Sequence, residues 1–394
     1  MTGPHVITSA VAERIDGIVA RAVEDGQAPG IVAGVSRGDD VHVAVAGSMA
    51  LDGAPMRRDS LFRIASITKP MTAAALLALV QEGLVDLEEP VDRLLPELAE
   101  RRVLRRPDAP LNDTEPAARP ILVRELLTFT WGFGMQGAMF LADPPWPILT
   151  ATQERELNTL GPPHPGSTPD PDTWMARFAE LPLITQPGER WLYQSGSQVL
   201  GVLAARAAGT SFEEVLHTRL LAPLGMADTA FHAVDVDRLV TAYQWDGGQL
   251  EVLDPPGGEW ARPPLFADGG AGLVSSVDDE LAFGRMLLRG GSGPSGPVLT
   301  ADTVTEMTRD HLTPQQRGRV WPGFDLLDGR GWGLGVSVLP DGRYSWDGGL
   351  GTSWSNVPAD DLTVVVLTQR AWDETGPPAV CDAVLTAARE PSGR

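Results

Sequence analysis

The chain has 394 residues, 43% hydrophobic and 21% charged, a length that points to two lobes rather than one simple core. Its 31 Lys and Arg against 52 Asp and Glu give a net charge of −21, which repels polyanions and argues against nucleic acid or an anionic membrane surface as partners. One cysteine, Cys381, excludes an intramolecular disulfide and any multi-cysteine metal site.

Val11, Ile15, Ile18, Val19 and Ala22 recur at helical spacing and predict an amphipathic helix ending near Gly26. Glu13, Arg14 and Asp16 interrupt the apolar core a signal peptide would need, and the longest apolar run, 73–80, is too short to span a bilayer. A cytoplasmic protein is expected. Residues 31–36 and 41–46 flank a polar turn and read as a β-hairpin, with Val41, Val43 and Val45 on its buried face. Gly34-Val-Ser36-Arg-Gly38 in this hairpin matches the G-x-S-x-G pattern of a nucleophile elbow. An elbow needs a helix directly after the serine, and here a second strand follows, so Ser36 is read as part of a sheet edge.

A helix is predicted over 66–82, with Pro70 in its first turn. Residues 85–265 read as helical segments separated by Pro-rich loops, one of them opened by the capping box Ser211-Phe-Glu-Glu214 and stopping before Pro223. Strand patterns return at 332–338, 343–346, 351–357 and 362–367, an antiparallel meander, and a last helix carries Val380, Cys381, Val384 and Ala387. The expected fold class is α/β: an antiparallel sheet flanked by N- and C-terminal helices, over 1–84 and 266–394, with a mostly helical domain, 85–265, inserted.

The six histidines, His5, His42, His164, His217, His232 and His311, show neither a triad context nor metal-ligand spacing, and no metal is expected. Gly291-Ser-Gly-Pro-Ser-Gly296 matches G-x-G-x-x-G but follows a helix and contains Pro294, so it reads as a loop. Ser66-Ile-Thr-Lys69 is different. Positions i and i+3 share a helix face, bringing a hydroxyl beside an amine at the positive end of a helix dipole, where a buried lysine would lose its proton more easily. Tyr193, after Pro187-Gly188 and before a helix over 199–208, could act as a general base if an ammonium lay near its phenol. Tyr344-Ser-Trp346-Asp347-Gly348-Gly349 closes a predicted strand, where glycines admit a substrate close to backbone N–H groups.

In this order and at these separations the three elements resemble the serine β-lactamase-like superfamily, specifically class C β-lactamases and family VIII carboxylesterases. Leu61-Phe-Arg-Ile-Ala-Ser66-Ile-Thr-Lys69, Leu126-Leu-Thr-Phe-Thr-Trp-Gly132, Leu221-Ala-Pro-Leu-Gly-Met226 and Gly269-Gly-Ala-Gly-Leu-Val-Ser275 extend the resemblance over nearly the whole chain. It implies a β-lactamase/transpeptidase-like fold and a serine enzyme without cofactor. Ser66 would be the acylated nucleophile, Lys69 its activating partner, and Tyr193 the base that takes the serine proton and later activates water. The N–H groups of Ser66 and Gly349 would form the oxyanion hole.

Two departures bear on substrate. The family's Tyr-x-Asn reads Tyr193-Gln194-Ser195, replacing an amide that contacts the lysine by the shorter Ser195 hydroxyl. The third motif reads Trp346-Asp347-Gly348, as in related esterases, and lacks the cation that anchors the carboxylate of a β-lactam or a peptide terminus. The implied substrate is a small or medium uncharged carboxylic ester contacting Ser195, Trp346, Asp347 and Gly348, with Trp131, Phe133 and neighbouring aromatics forming an apolar pocket. β-Lactamase, amidase or D-aminopeptidase and acyltransferase activities are alternatives on the same site. A non-catalytic ligand-binding protein would not need Ser66, Lys69 and Tyr193 together.

Overall fold

In the computed structural model, which describes residues 6–135, 137–317, 327, 329–373 and 376–390, helix α1 (Ser9–Glu24) begins where the Thr8 hydroxyl accepts the Val11 N–H. Its stripe of Val11, Ile15, Val19 and Ala22 packs into one cluster with strands β1 (Gly30–Arg37) and β2 (Asp40–Gly47). The hairpin faces the other way from its expected orientation. Ala44 is buried in the α1 cluster, whereas Val41 and Val45 are each 39% exposed, because β2 is the outermost strand and its valine face is only partly covered.

A 3-10 turn, Ala65–Ile67, precedes helix α2 (Thr68–Gln81), so the helix proper starts two residues after Ser66. Residues 68–79 of α2 are buried on all sides, the mark of a central helix, and helix α3 (Ser195–Ala208) packs along it. Strands β3 (Ala242–Asp246) and β4 (Gln249–Asp254) form a hairpin whose turn uses Gly247 and Gly248 at positive φ. Helix α4 (Val277–Leu288), capped by Ser276, leads toward strands β5 (Gly331–Trp332), β6 (Ser337–Val338), β7 (Tyr344–Gly348), β8 (Thr352–Val357) and β9 (Leu362–Thr368), and helix α5 (Val380–Arg389) follows.

Two predicted elements differ. The strand expected over 332–338 is broken into β5 and β6, which pair with each other across a tight reversal at Gly335, φ 77°. The helix opened by Ser211 does not stop before Pro223: Phe212–Leu216 runs on through a π turn, His217–Leu221, into Ala222–Leu224. Pro223 lies just past the π turn, in the last turn of this continuous helical stretch.

The seven-stranded antiparallel sheet has the order β5-β6-β7-β8-β9-β1-β2, so strands from both ends of the sequence lie side by side, with Gly34 opposite Val365 and Ser36 opposite Thr363. Helices α1 and α5 pack together on one face and α4 covers the other. This packing accounts for the G-x-S-x-G match. A Cβ at Gly34 would collide with Val277 and Leu281 of α4, Gly38 takes a positive φ in the β1–β2 turn, and Ser36 is buried with no partner for its hydroxyl. β1 is an internal strand, not the expected edge.

Within 85–265 the short helices Val123–Leu127, Pro147–Glu154 and Pro171–Ala179 surround Trp131, Phe133, Trp174 and Phe178, and a small sheet pairs Arg102–Leu104 with Thr114–Pro116. Among the described residues, no helix is long and apolar enough to cross a membrane.

Candidate active site

The turn that carries Ser66 is strained: Ala65 adopts φ 44°, a left-handed conformation rarely taken by a residue with a side chain. It turns the Ser66 hydroxyl toward the cleft, 8% exposed, while Lys69 one helical turn later is fully buried. Lys69 Nζ lies 2.8 Å from Ser66 Oγ, 2.8 Å from Gln194 Oε1 and 2.6 Å from the Gly270 carbonyl oxygen. The last two partners only accept, so two Lys69 N–H groups are committed to them. The third direction points at Ser66, donating a hydrogen bond when the amine is protonated and offering a lone pair when it is neutral.

Burial lowers the Lys69 pKa to about 7, against an opposing pull from the Asp268 carboxylate. Asp268 is itself pushed upward by burial, while the Gly270 N–H at 2.6 Å, the Lys69 charge and the Gln198 amide at 3.1 Å hold it down. The segment reaches this place by passing between α2 and α3: Thr72 Oγ1 donates to the Gly269 carbonyl, and a Cβ on Gly269 would collide with Ser197 O.

Tyr193 is held by a two-way backbone bridge to Met135, 2.7 and 3.0 Å. Its phenolic oxygen accepts the Trp346 indole N–H at 2.8 Å, Ser66 beside it also favours the ionised form, and Lys69 Nζ stands 4.6 Å from the ring centroid. Burial raises the phenol pKa despite these donors, so the protonated phenol is the resting form.

Strand β7 brings Trp346, Asp347 and Gly349 to the same cleft, about 400 Å³ in volume, that exposes Ser66, Tyr193 and Gln194. Gly349 faces open space, since a Cβ there would meet nothing within 4 Å. Asp347 accepts from Ser353 Oγ at 2.6 Å, and burial raises its pKa.

Four expected contact residues are placed elsewhere. Ser195 is fully buried and donates to the Phe133 carbonyl at 2.9 Å, because α3 starts at this residue and turns its hydroxyl away from Lys69. Trp131 and Phe133 are fully buried in the helical core, with ring centroids 5.5 and 4.7 Å from that of Phe178, and do not line the cleft. Gly348 is a spacer: a Cβ there would collide with Ile64 O and Thr352 Oγ1, so its absence lets β7 lie against the strand-to-turn segment leading into Ser66.

Sequence reasoning missed Gln194 and Asp268. Gln194 has φ 89°, a conformation that turns its amide toward Lys69 in place of the motif's asparagine; the only signal was an amide one position early. Asp268 was signalled by an acidic residue directly before paired glycines in an otherwise apolar stretch. None of the described histidines lines the cleft, and His5 lies outside the described residues. Among the described residues, no group of three or more His, Cys, Asp or Glu could hold a metal ion.

This fold, with Ser66 and Tyr193 at one cleft and Lys69 buried against Ser66, defines a member of the serine β-lactamase/transpeptidase-like superfamily. The chain belongs to the Beta-lactamase family, whose model matches residues 15–380. It is 37% identical over 360 residues to an uncharacterised protein of Mycobacterium tuberculosis, covering 86% of this chain and 84% of that one. It is 29% identical over 413 residues to esterase EstB of Burkholderia gladioli, covering 95% of each. The solved structure of EstCE1, a hydrolase with promiscuous acyltransferase activity, superposes with a TM-score of 0.80 at 23% identity over 97% of this chain and 99% of that one, a likeness of fold.

Proposed function

We propose that this protein is a serine hydrolase that cleaves uncharged carboxylic esters through an acyl-enzyme on Ser66. The observation that carries the reading is Ser66 Oγ set 2.8 Å from a fully buried amine, at a cleft that no cationic side chain lines among the described residues. In the acylation step Ser66 Oγ attacks the ester carbonyl carbon and its proton passes to neutral Lys69. The N–H groups of Ser66 and Gly349 receive the oxyanion, each such donor contributing about 3 kcal/mol. As the tetrahedral adduct collapses, the departing alkoxide takes the Tyr193 phenolic proton and Lys69 returns a proton to Tyr193. Water then attacks the acyl carbon, its proton passes to the same pair, and Ser66 leaves with a proton as the acid is released.

This division of labour differs from the expectation that Tyr193 takes the serine proton. Burial favours a neutral Lys69 and disfavours a Tyr193 phenolate, which supports the amine as first acceptor. The esterase reading is further supported by similarity to EstB across 95% of both chains. Trp346 in place of a cation argues against β-lactams and peptide carboxylates.

The test uses 4-nitrophenyl acetate and butyrate, an alkyl phosphonate and nitrocefin on the wild type and Ser66→Ala. The expected result is ester turnover, slow or no nitrocefin hydrolysis, a phosphonate adduct on the Ser66 peptide, and a loss of about 10³-fold or more in the variant. Ester turnover that survives Ser66→Ala overturns the assignment.

A further inference from the structure

We propose that the β3–β4 hairpin selects the substrate, receiving a bulky apolar group of the ester on Trp245 and Leu253; this rests on the esterase reading above. Trp245 and Leu253 are 44% and 37% exposed and line the cleft that opens on Ser66. Leu350 and Trp372 line the same cleft. Large apolar side chains left in water at the mouth of a cleft gain their burial when a ligand covers them. Among the described residues the lining carries the Asp347 carboxyl and no cationic side chain, which favours an uncharged aromatic or branched group over an anionic one at this wall.

The hairpin is joined to the oxyanion segment by consecutive backbone hydrogen bonds. Tyr243 N–H donates to Gln369 O at 2.8 Å, Ala371 N–H to Tyr243 O at 2.7 Å, and Trp372 N–H to Gly349 O at 2.9 Å. The Tyr243 hydroxyl fixes the same strand from the other side by accepting the Leu51 N–H at 2.8 Å. A group packed against Trp245 therefore lies on a wall whose position is set by the residue proposed to hold the oxyanion, so contact there bears on kcat as well as KM.

The experiment measures kcat/KM for two substrate pairs, 4-nitrophenyl octanoate against acetate and naphthylmethyl acetate against ethyl acetate. The proteins are wild type, Trp245→Ala, Trp245→Phe, Leu253→Ala and Val252→Ala. Val252 is exposed on the same hairpin and does not line the cleft. In at least one pair the bulky-to-small ratio is expected to fall about tenfold in Trp245→Ala and Leu253→Ala, and to stay near wild type in Trp245→Phe and Val252→Ala. Ratios unchanged in both pairs, or lowered equally by Val252→Ala, overturn the hairpin's role while leaving the esterase reading intact. A wild type that turns over no ester overturns that reading, and this inference with it.

Discussion

The indole N–H of Trp346 donates to the phenolic oxygen of Tyr193 at 2.8 Å, and both side chains are almost wholly buried. Expected from the sequence as a substrate contact, Trp346 also acts on the group proposed to protonate the leaving alkoxide. Replacing it by phenylalanine keeps the ring and removes the donor. A hydrogen bond that strengthens as the phenol gives up its proton contributes about 1.5–3 kcal/mol, so kcat of Trp346→Phe is expected to fall roughly 10- to 150-fold. Steady-state kinetics with 4-nitrophenyl acetate measures this; a kcat within twofold of wild type, roughly 0.4 kcal/mol, refutes it.

The Lys69 amine gives the pH dependence its sign. Burial removes the water that stabilises the ammonium, so the proton leaves near pH 7 rather than at the ordinary lysine value, and the neutral acceptor is present above that pH. kcat/KM is expected to rise with pH through a limb near 7. Asp268 opposes the shift, so Asp268→Asn is expected to move that limb to lower pH. A limb that stays in place or moves upward in the variant contradicts this coupling.

Gln194 offers a way to separate strain from function. At φ 89° a glycine is at ease and an alanine is not, so Gln194→Gly is expected to be about 1 kcal/mol more stable than Gln194→Ala in urea unfolding. Both variants lose the oxygen that accepts from Lys69, and both are expected to lose about tenfold or more in kcat. Equal stability of the two would mean that the backbone at 194 carries no strain.

Ser36 lies in an internal strand with its hydroxyl buried and unpartnered. Removing an unsatisfied polar atom relieves a desolvation penalty, so Ser36→Ala is expected to be neutral or up to about 1 kcal/mol more stable, with unchanged ester turnover. Loss of turnover at wild-type stability would return Ser36 to consideration as a nucleophile.

That Ser66, Lys69 and Tyr193 come together is legible in local spacing: an i, i+3 pair at a helix start, and a tyrosine at the entrance to the next helix. The buried positions of Trp131, Phe133 and Ser195 are not legible in the sequence. Nothing in the one-dimensional pattern distinguishes an aromatic that faces a cleft from one that faces a core, or shows that α3 begins on Ser195 and rotates its hydroxyl onto Phe133 O. Gln194 was hidden because its role depends on a positive φ that a non-glycine residue does not advertise. The β1–β2 hairpin was found from its alternation, but which face is buried depends on α1 and on neighbouring strands more than three hundred residues away in the chain.

The pairing of β1 with β9 also orders events in time. A ribosome extrudes Ser66, Lys69 and Tyr193 well before Leu362–Thr368 exists, and until then β1 has β2 as its only sheet neighbour. Such a closure late in the chain is slow to form and leaves a hydrogen-bonding edge open on the nascent polypeptide. The Gly349 segment arrives in the same final stretch. Translation therefore completes the sheet and the proposed oxyanion site almost together, and the growing chain carries its serine and lysine without a finished site around them.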